Sequence, residues 1–250
     1  MVFKQSLHVH DIKFRQPTTT LIVGDLHGSI EKLMNIITIF NNKNYCLKNR
    51  CIIAVGDVVD RGPHSCDLVS WFLREELNLK KFCVLGNHEQ MFLKFTQRPQ
   101  HHKAWLDYGG LETFNSYFPG LTKEKLLESP QRWIKKLPKE HLQWLKNLPS
   151  ALCLGKSVIV HAGYNPSLAP EKQAREQLIW GPCLTAESEP LVRSMQTRFE
   201  RIIHGHEITN ARPNPMSALI NLDSGAYLTG NPITGLTIDA KGRPLEIITG

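Results

Sequence analysis

The sequence predicts an α/β fold in which a parallel sheet is covered by helices, and three observations carry that expectation. Short β-rich apolar runs end in glycine at Gly24, Gly56 and Gly86. Each run is followed by a stretch with apolar residues at helical spacing. No linker or low-complexity tract interrupts the series.

The first strand–loop–helix unit joins residues 20–24 to residues 30–40, where Ile30, Leu33, Met34, Ile36, Ile37 and Phe40 recur on one helix face. Residues 51–56 with 65–77 form the second unit, and residues 82–86 with 89–95 the third. Such a series places ligands at the carboxyl ends of the strands. From about residue 97 to 149, Pro119, Pro130, Pro138 and Pro149 punctuate short helical segments such as 131–136 and 139–147, which reads as a helical insertion or cap. Residues 151–154 and 157–160 flank Gly155-Lys156 as a hairpin, and further strands are expected at 201–204, 218–222, 235–239 and 245–249. This second half is expected to be more antiparallel, within one domain spanning residues 1–250.

Composition narrows the classes. The chain has 250 residues, and 30 Lys plus Arg against 23 Asp plus Glu leave +7, which favours anionic partners without choosing one. A chain of this length needs no disulfide or structural metal to bury a core. Cys46, Cys51, Cys66, Cys83, Cys153 and Cys183 contain no C-x-x-C pair and are expected to be reduced. Residues 1–16 lack an apolar leader core, and no run approaches the ~18 apolar residues of a membrane span, so the expected address is the cytoplasm with no membrane partner. No Lys/Arg run with interleaved aromatics marks a nucleic-acid surface.

The strand ends carry the chemistry. Gly24-Asp25-Leu26-His27-Gly28, Gly56-Asp57-Val58-Val59-Asp60-Arg61-Gly62 and Gly86-Asn87-His88-Glu89 follow the first three strands, and His161-Ala162-Gly163 and His204-Gly205-His206 follow two later ones. A single Gly-Asp after a strand is ordinary turn chemistry. Five strand ends delivering Asp, Asn and His to one sheet edge are a set of oxygen and nitrogen ligands for divalent metals.

In order and spacing these tails resemble the GDxHG, GDxVDRG and GNHE signatures and the two later histidine motifs of the calcineurin-like metallophosphoesterases. The likeness is to the phosphoprotein phosphatase branch, in its bacterial and bacteriophage lambda form. It spans about residues 21–228 and implies a four-layer α/β/β/α sandwich holding two divalent ions, Mn first, with Fe, Zn, Ni or Co as alternatives. By the resemblance Asp25 and His27 hold one metal, Asp57 bridges both, and Asn87, His161 and His206 complete the second. A bridging hydroxide then attacks phosphorus directly. His88 is the expected proton donor to the leaving group, Asp60 its orienting partner, and Arg61, with Asn87, the phosphate-binding group.

Departures from the pattern are informative. The family places a second phosphate-binding arginine shortly after an Ile-Trp pair, but here Ile179-Trp180 is followed by Gly181-Pro182-Cys183, which leaves Arg175, Arg193 and Arg198 as replacements. Glu207 stands where bacterial relatives commonly have threonine. His204 shares a strand with His206 and is expected to face the same way, behind the ligands at most. His64, His101, His102 and His141 match no motif and read as exposed or packing residues.

The expected activity is hydrolysis of phosphoserine or phosphothreonine, with phosphotyrosine included, on a phosphorylated protein or another phosphoester. Two alternatives stand beside it: hydrolysis of a dinucleoside polyphosphate such as diadenosine tetraphosphate, and a non-catalytic interaction module on this scaffold. Asp60 and Glu89 favour the protein phosphatase side, because the dinucleotide branch typically lacks the first and has Asp for the second.

Overall fold

The computed structural model describes residues 7–44, 48–194, 199–239 and 241–250. Cys46 and Arg198 lie outside the described residues. Among the described residues, ten strands form two five-stranded sheets: β1 (Val9–Ile12), β2 (Thr19–Val23), β3 (Arg50–Ala54), β4 (Leu79–Cys83), β5 (Ala151–Leu154), β6 (Ser157–Val160), β7 (Arg201–His204), β8 (Leu219–Asn221), β9 (Thr234–Ile238) and β10 (Pro244–Thr249). One sheet has the order β10-β9-β2-β3-β4 and the other β1-β5-β6-β7-β8.

Alternation along each central strand sorts side chains between two cores. Ile22, Ile53, Ile159, Ile203, Ile220 and Leu236 meet between the sheets. Their neighbours Leu21, Val23, Ile52, Val158 and Ile202 face the other way, into the core shared with the helices. The first sheet is covered by α1 (Ile30–Asn41), α2 (Ser65–Leu73) and α3 (Asn87–Gln97). Four short helices follow: α4 (Gly110–Tyr117), α5 (Lys123–Glu128), α6 (Pro130–Ile134) and α7 (Lys139–Asn147), in the stretch expected to be a helical cap. The second sheet carries α8 (Arg175–Trp180) and α9 (Glu189–Arg193), the latter packed on β7. The result is the expected α/β/β/α order of layers.

β2, β3 and β4 pair in parallel, as the three repeated units require. The second half is less antiparallel than the sequence implies. β5 and β6 form the expected hairpin, but β6 with β7 and β7 with β8 are parallel, because the long segments between them cross over and return in the same direction. α2 stops at Leu73, short of residue 77, where Arg74 turns to extended backbone at ψ 126°. No helix among the described residues is long and apolar enough to cross a membrane.

The inter-sheet core makes a direct stability prediction. Ile53 is fully buried between the sheets, so Ile53→Ala should lower unfolding free energy by about 2–5 kcal/mol, read as a lower urea midpoint at constant slope.

Candidate metal centre

The turns that follow β2, β3, β6 and β7 and the start of α3 converge on one edge of the two sheets. The backbone is bent to do it. His27, Asp57, Asp60, Arg61 and His206 all have positive φ, at 39°, 49°, 72°, 66° and 73°, and among the described non-glycine residues only Asn78 shares that conformation. Such conformations cost of order 1–3 kcal/mol each and persist where surrounding contacts enforce them. Gly86 shows why glycine is needed beside them, since a Cβ there would strike the Asp57 backbone nitrogen and carboxylate.

Asp57 sits at the middle. Its Oδ2 lies 3.5 Å from His27 Nε2 and 3.9 Å from His88 Nε2, and its Oδ1 lies 3.4 Å from His161 Nε2. Two groups close enough to hold an ion share it: His27, Asp57 and His88, and Asp57, His161 and His206. Asn87 Oδ1 joins the second, 2.8 Å from His161 Nε2 and 3.2 Å from His206 Nδ1. Asp25 is buried alongside, its carboxylate accepting the His206 backbone N–H at 3.2 Å. The resemblance expects Asp25 with His27 at one metal, and both are buried at this edge beside Asp57.

Hydrogen bonds fix which imidazole atoms face inward. His27 Nδ1 is 2.9 Å from the Val59 carbonyl and His161 Nδ1 is 2.9 Å from the Val55 carbonyl. Carbonyls only accept, so each Nδ1 carries the proton and each Nε2 turns a lone pair toward the Asp57 carboxylate. Burial keeps both rings neutral, lowering His27 to about 3 and His161 to about 4. Burial by itself would raise Asp57, yet His161, His88 and His27 acting as cations would hold it far below the usual carboxylate range. Neutral His27 and His161 cannot supply their share of that charge, and lone pairs pointed at a carboxylate repel. A divalent cation between them meets both demands, and a backbone carbonyl on the far nitrogen is the usual support of a metal-bound histidine. Asp25, driven upward by burial and then by Asp223 and Asp57, calls for the same positive charge.

His88 and Asp60 form a second device. His88 Nδ1 donates to Asp60 Oδ2 at 2.7 Å, and burial, which would lower this imidazole, is outweighed by Asp57 and by the Asp60 hydrogen bond, so it rises. Asp60 is itself immobilised: the Trp105 indole donates to it at 2.5 Å and the Thr113 hydroxyl at 2.6 Å. Arg61 Nη2 stands 3.2 Å from His88 Nε2, a contact that fits the neutral ring only, so His88 can be charged once Arg61 turns to another acceptor such as a phosphate. Arg193 is committed to Glu189 at 2.5 Å, and Arg175 lies at the start of α8 beside Glu176 at 3.7 Å.

Other contributors carry no motif in the sequence. Trp105 and Thr113 come from the helical cap. Tyr227 stacks over the Arg61 guanidinium at 4.6 Å and meets the His27 ring edge-on at 5.2 Å. Its loop is held by Lys32, whose ammonium donates to the carbonyls of Ala226, Leu228 and Asn231. Two histidines without a motif lie away from the site: His141 bonds Tyr117 and Ser70, and His64 bridges Glu31 and Asp67 at the surface.

Glu89 anchors the whole arrangement. Fully buried, it accepts N–H bonds from Gly86 at 3.0 Å, Asp57 at 2.9 Å, Val58 at 2.7 Å and Val59 at 3.1 Å. Burial and the Asp57 charge push it up to about 7, but four donors aimed at two oxygens leave no place for a carboxyl proton, so the hydrogen bonds hold it ionised.

The sequence profile of the calcineurin-like phosphoesterases matches residues 18–209. The asymmetrical bis(5'-nucleosyl)-tetraphosphatase of Oceanobacillus iheyensis is 26% identical over 235 residues, covering 88% of each chain. Serine/threonine-protein phosphatase 7 of Arabidopsis thaliana is 22% identical over 289 residues, covering 96% of this chain and 67% of the relative. A crystal structure assigned to a candidate diadenosine tetraphosphatase superposes with a TM-score of 0.62 at 19% identity, covering 98% of each chain.

Removing the anchor should loosen the metal site without removing a ligand. Glu89→Gln turns one acceptor into a donor facing backbone N–H groups, and Mn²⁺ affinity by calorimetric titration should fall about 10–100-fold. His64→Ala should leave that affinity unchanged.

Proposed function

Because this chain belongs to the calcineurin-like phosphoesterase family, we propose that it is a two-metal hydrolase of dinucleoside polyphosphates. The observation that carries the hydrolase is the pair of buried imidazole lone pairs, on His27 and His161, turned toward one carboxylate. The substrate class is supported by the likeness over nearly full length to the Oceanobacillus enzyme. Asp25, His27, Asp57, Asn87, His161 and His206 are the groups available to hold two cations, with manganese the first choice for mixed oxygen and nitrogen donors. Two such ions, when bound, polarise phosphoryl oxygens and activate water near neutral pH.

The chain's own residues do the rest. Arg61, backed by Tyr227, turns its fork from His88 to the phosphate and orients it. The released His88, held through Nδ1 by Asp60, presents Nε2 to the departing oxygen and gives up a proton there. Asp60 keeps the ring in that tautomer because Trp105 and Thr113 leave its carboxylate no other orientation. The cytoplasmic address belongs to the same reading, with Cys51 and Cys83 buried as small hydrophobes.

This ordering reverses the sequence-based preference for phosphoprotein. Asp60 and Glu89 favour protein phosphatases by pattern, but in the structure both serve the scaffold. Glu89 ties down the Asp57 loop and Asp60 orients His88, duties that any phosphoester would require. A phosphomonoesterase remains a second reading, and one observation favours it: a rigidly oriented acid helps most when the leaving group is a poor one, such as a serine alkoxide. The convergence of the expected residues at one edge argues against a non-catalytic module.

The two readings separate experimentally. With Mn²⁺, diadenosine tetraphosphate should be turned over with a higher kcat/KM than a phosphoserine peptide, and chelator should abolish both; the reverse order would transfer the assignment to protein phosphatase. His88→Asn should cut turnover of the phosphoserine peptide by about 10²–10⁴ and that of the anhydride less, because a phosphate leaves more readily unprotonated than an alkoxide. Equal losses on the two substrates would remove His88 from the proton-donating role.

A further inference from the structure

Lys32 is a cation in an unfavourable place for its helix. It lies in the first turn of α1, where the free backbone N–H groups already make a positive end and an acidic residue is the stabilising choice. No carboxylate among the described residues pairs with it. Its partly buried ammonium spends its three N–H groups on backbone carbonyls instead, those of Ala226, Leu228 at 3.1 Å and Asn231 at 2.7 Å. All three belong to the loop between β8 and β9, nearly 200 positions away in the chain. That loop closes on itself through Leu228 N–H to the Gly225 carbonyl at 2.9 Å and Asn231 Nδ2 to the Ser224 carbonyl at 2.8 Å. Across to α1 it is tied by Lys32 and by a longer bond from the Ser29 hydroxyl to Ala226 at 3.4 Å. Its tip carries Tyr227, the ring that lies over Arg61 at 4.6 Å.

We propose that Lys32 is a positioning residue of the phosphate subsite: its ammonium fixes the Tyr227 loop, and Tyr227 holds the Arg61 guanidinium where a phosphate meets it. Arg61 needs such a support. Its backbone is fixed by an N–H bond to the Gly109 carbonyl at 3.2 Å, but the side chain beyond is long, and no carboxylate among the described residues forms an ion pair with it. An aromatic face steadies a guanidinium without taking its N–H donors or cancelling its charge, so both stay available to an anion. A carboxylate in the same place would compete with the phosphate. The tie from Lys32 then has a use that offsets its poor position on the helix: without it, three carbonyls lose their donor and the ring under Arg61 loses its anchor. The role rests on Arg61 as the phosphate-binding group, and it is the same for a dinucleoside polyphosphate and for a phosphomonoester.

The test is calorimetric titration of inorganic phosphate into the Mn²⁺-loaded full chain. Lys32→Met and Tyr227→Leu should each weaken phosphate by roughly five- to tenfold, the size of one cation–π contact, while Lys32→Arg recovers most of the wild-type affinity. The double variant should bind no more weakly than Tyr227→Leu alone, because Lys32 acts through that ring. In turnover, KM should rise at unchanged kcat. Mn²⁺ affinity and melting should match the wild type; if Lys32→Met fails to fold, Lys32→Gln, which keeps two donors, should show a smaller loss of phosphate. Wild-type phosphate affinity in the Lys32 variants, or losses from Lys32→Met and Tyr227→Leu that simply add, would overturn the role while Arg61→Ala still abolishes binding. Phosphate that binds Arg61→Ala as well as the wild type, or binds neither, would remove the phosphate-site reading and the role of Lys32 with it.

Discussion

The ionised side chain of Glu89, buried in the first turn of α3, is the constraint on which the rest of this molecule depends. It collects four backbone N–H groups from two different strand ends, three from the turn after β3 and one from Gly86. Those donors would otherwise point into a buried region unpaired, at a cost of about 1–3 kcal/mol each. By satisfying them, one carboxylate locks the turn that carries Asp57, Asp60 and Arg61 against the helix that carries Asn87 and His88. Asp57, His88 and Arg61 are therefore positioned together.

That locking explains how the site tolerates so much unfavourable backbone. Five residues of the site occupy left-handed conformations, and each is over-determined by a contact from elsewhere: His27 by the Val59 carbonyl, Asp57 by the Glu89 carboxylate, His206 by the Asp25 carboxylate, Asp60 by Ser65 and Thr113, Arg61 by the Gly109 carbonyl. Most of these restraints reach across sheets or up into the helical cap. The cap is thus part of the support of His88, since Trp105 packs on Phe92 and Phe95 while its indole nitrogen holds Asp60.

Charge is organised locally. The surplus of +7 over the whole sequence says little about the site, where Asp25, Asp57, Asp223 and Glu89 lie buried among imidazoles that burial keeps neutral. Asp223 is itself raised to about 6 by burial. Without cations this cluster is strongly acidic; two divalent ions would offset that charge.

The residues Asp25, His27, Asp57, Asp60, Arg61, Asn87, His88, His161 and His206 were legible because chain connectivity alone delivers them. Each follows a strand by one to a few residues, strand ends in an α/β sheet share an edge, and glycine marks the turns. The hairpin at residues 151–160 and α7 were legible for the same local reason. What depended on packing was not. Nothing in the spacing could pair Trp105 or Thr113 with Asp60, Tyr227 with Arg61, or Lys32 with the Tyr227 loop, because those contacts join segments far apart in the chain. The divergence of His204, whose Nδ1 lies 3.0 Å from the Gly205 carbonyl, from His206, which turns to Asn87 and His161, was equally hidden, since period-two reasoning holds only while the strand continues. Ligand types and their order are a property of the sequence; which lone pair faces which carboxylate is decided by backbone carbonyls that only the tertiary fold brings into place.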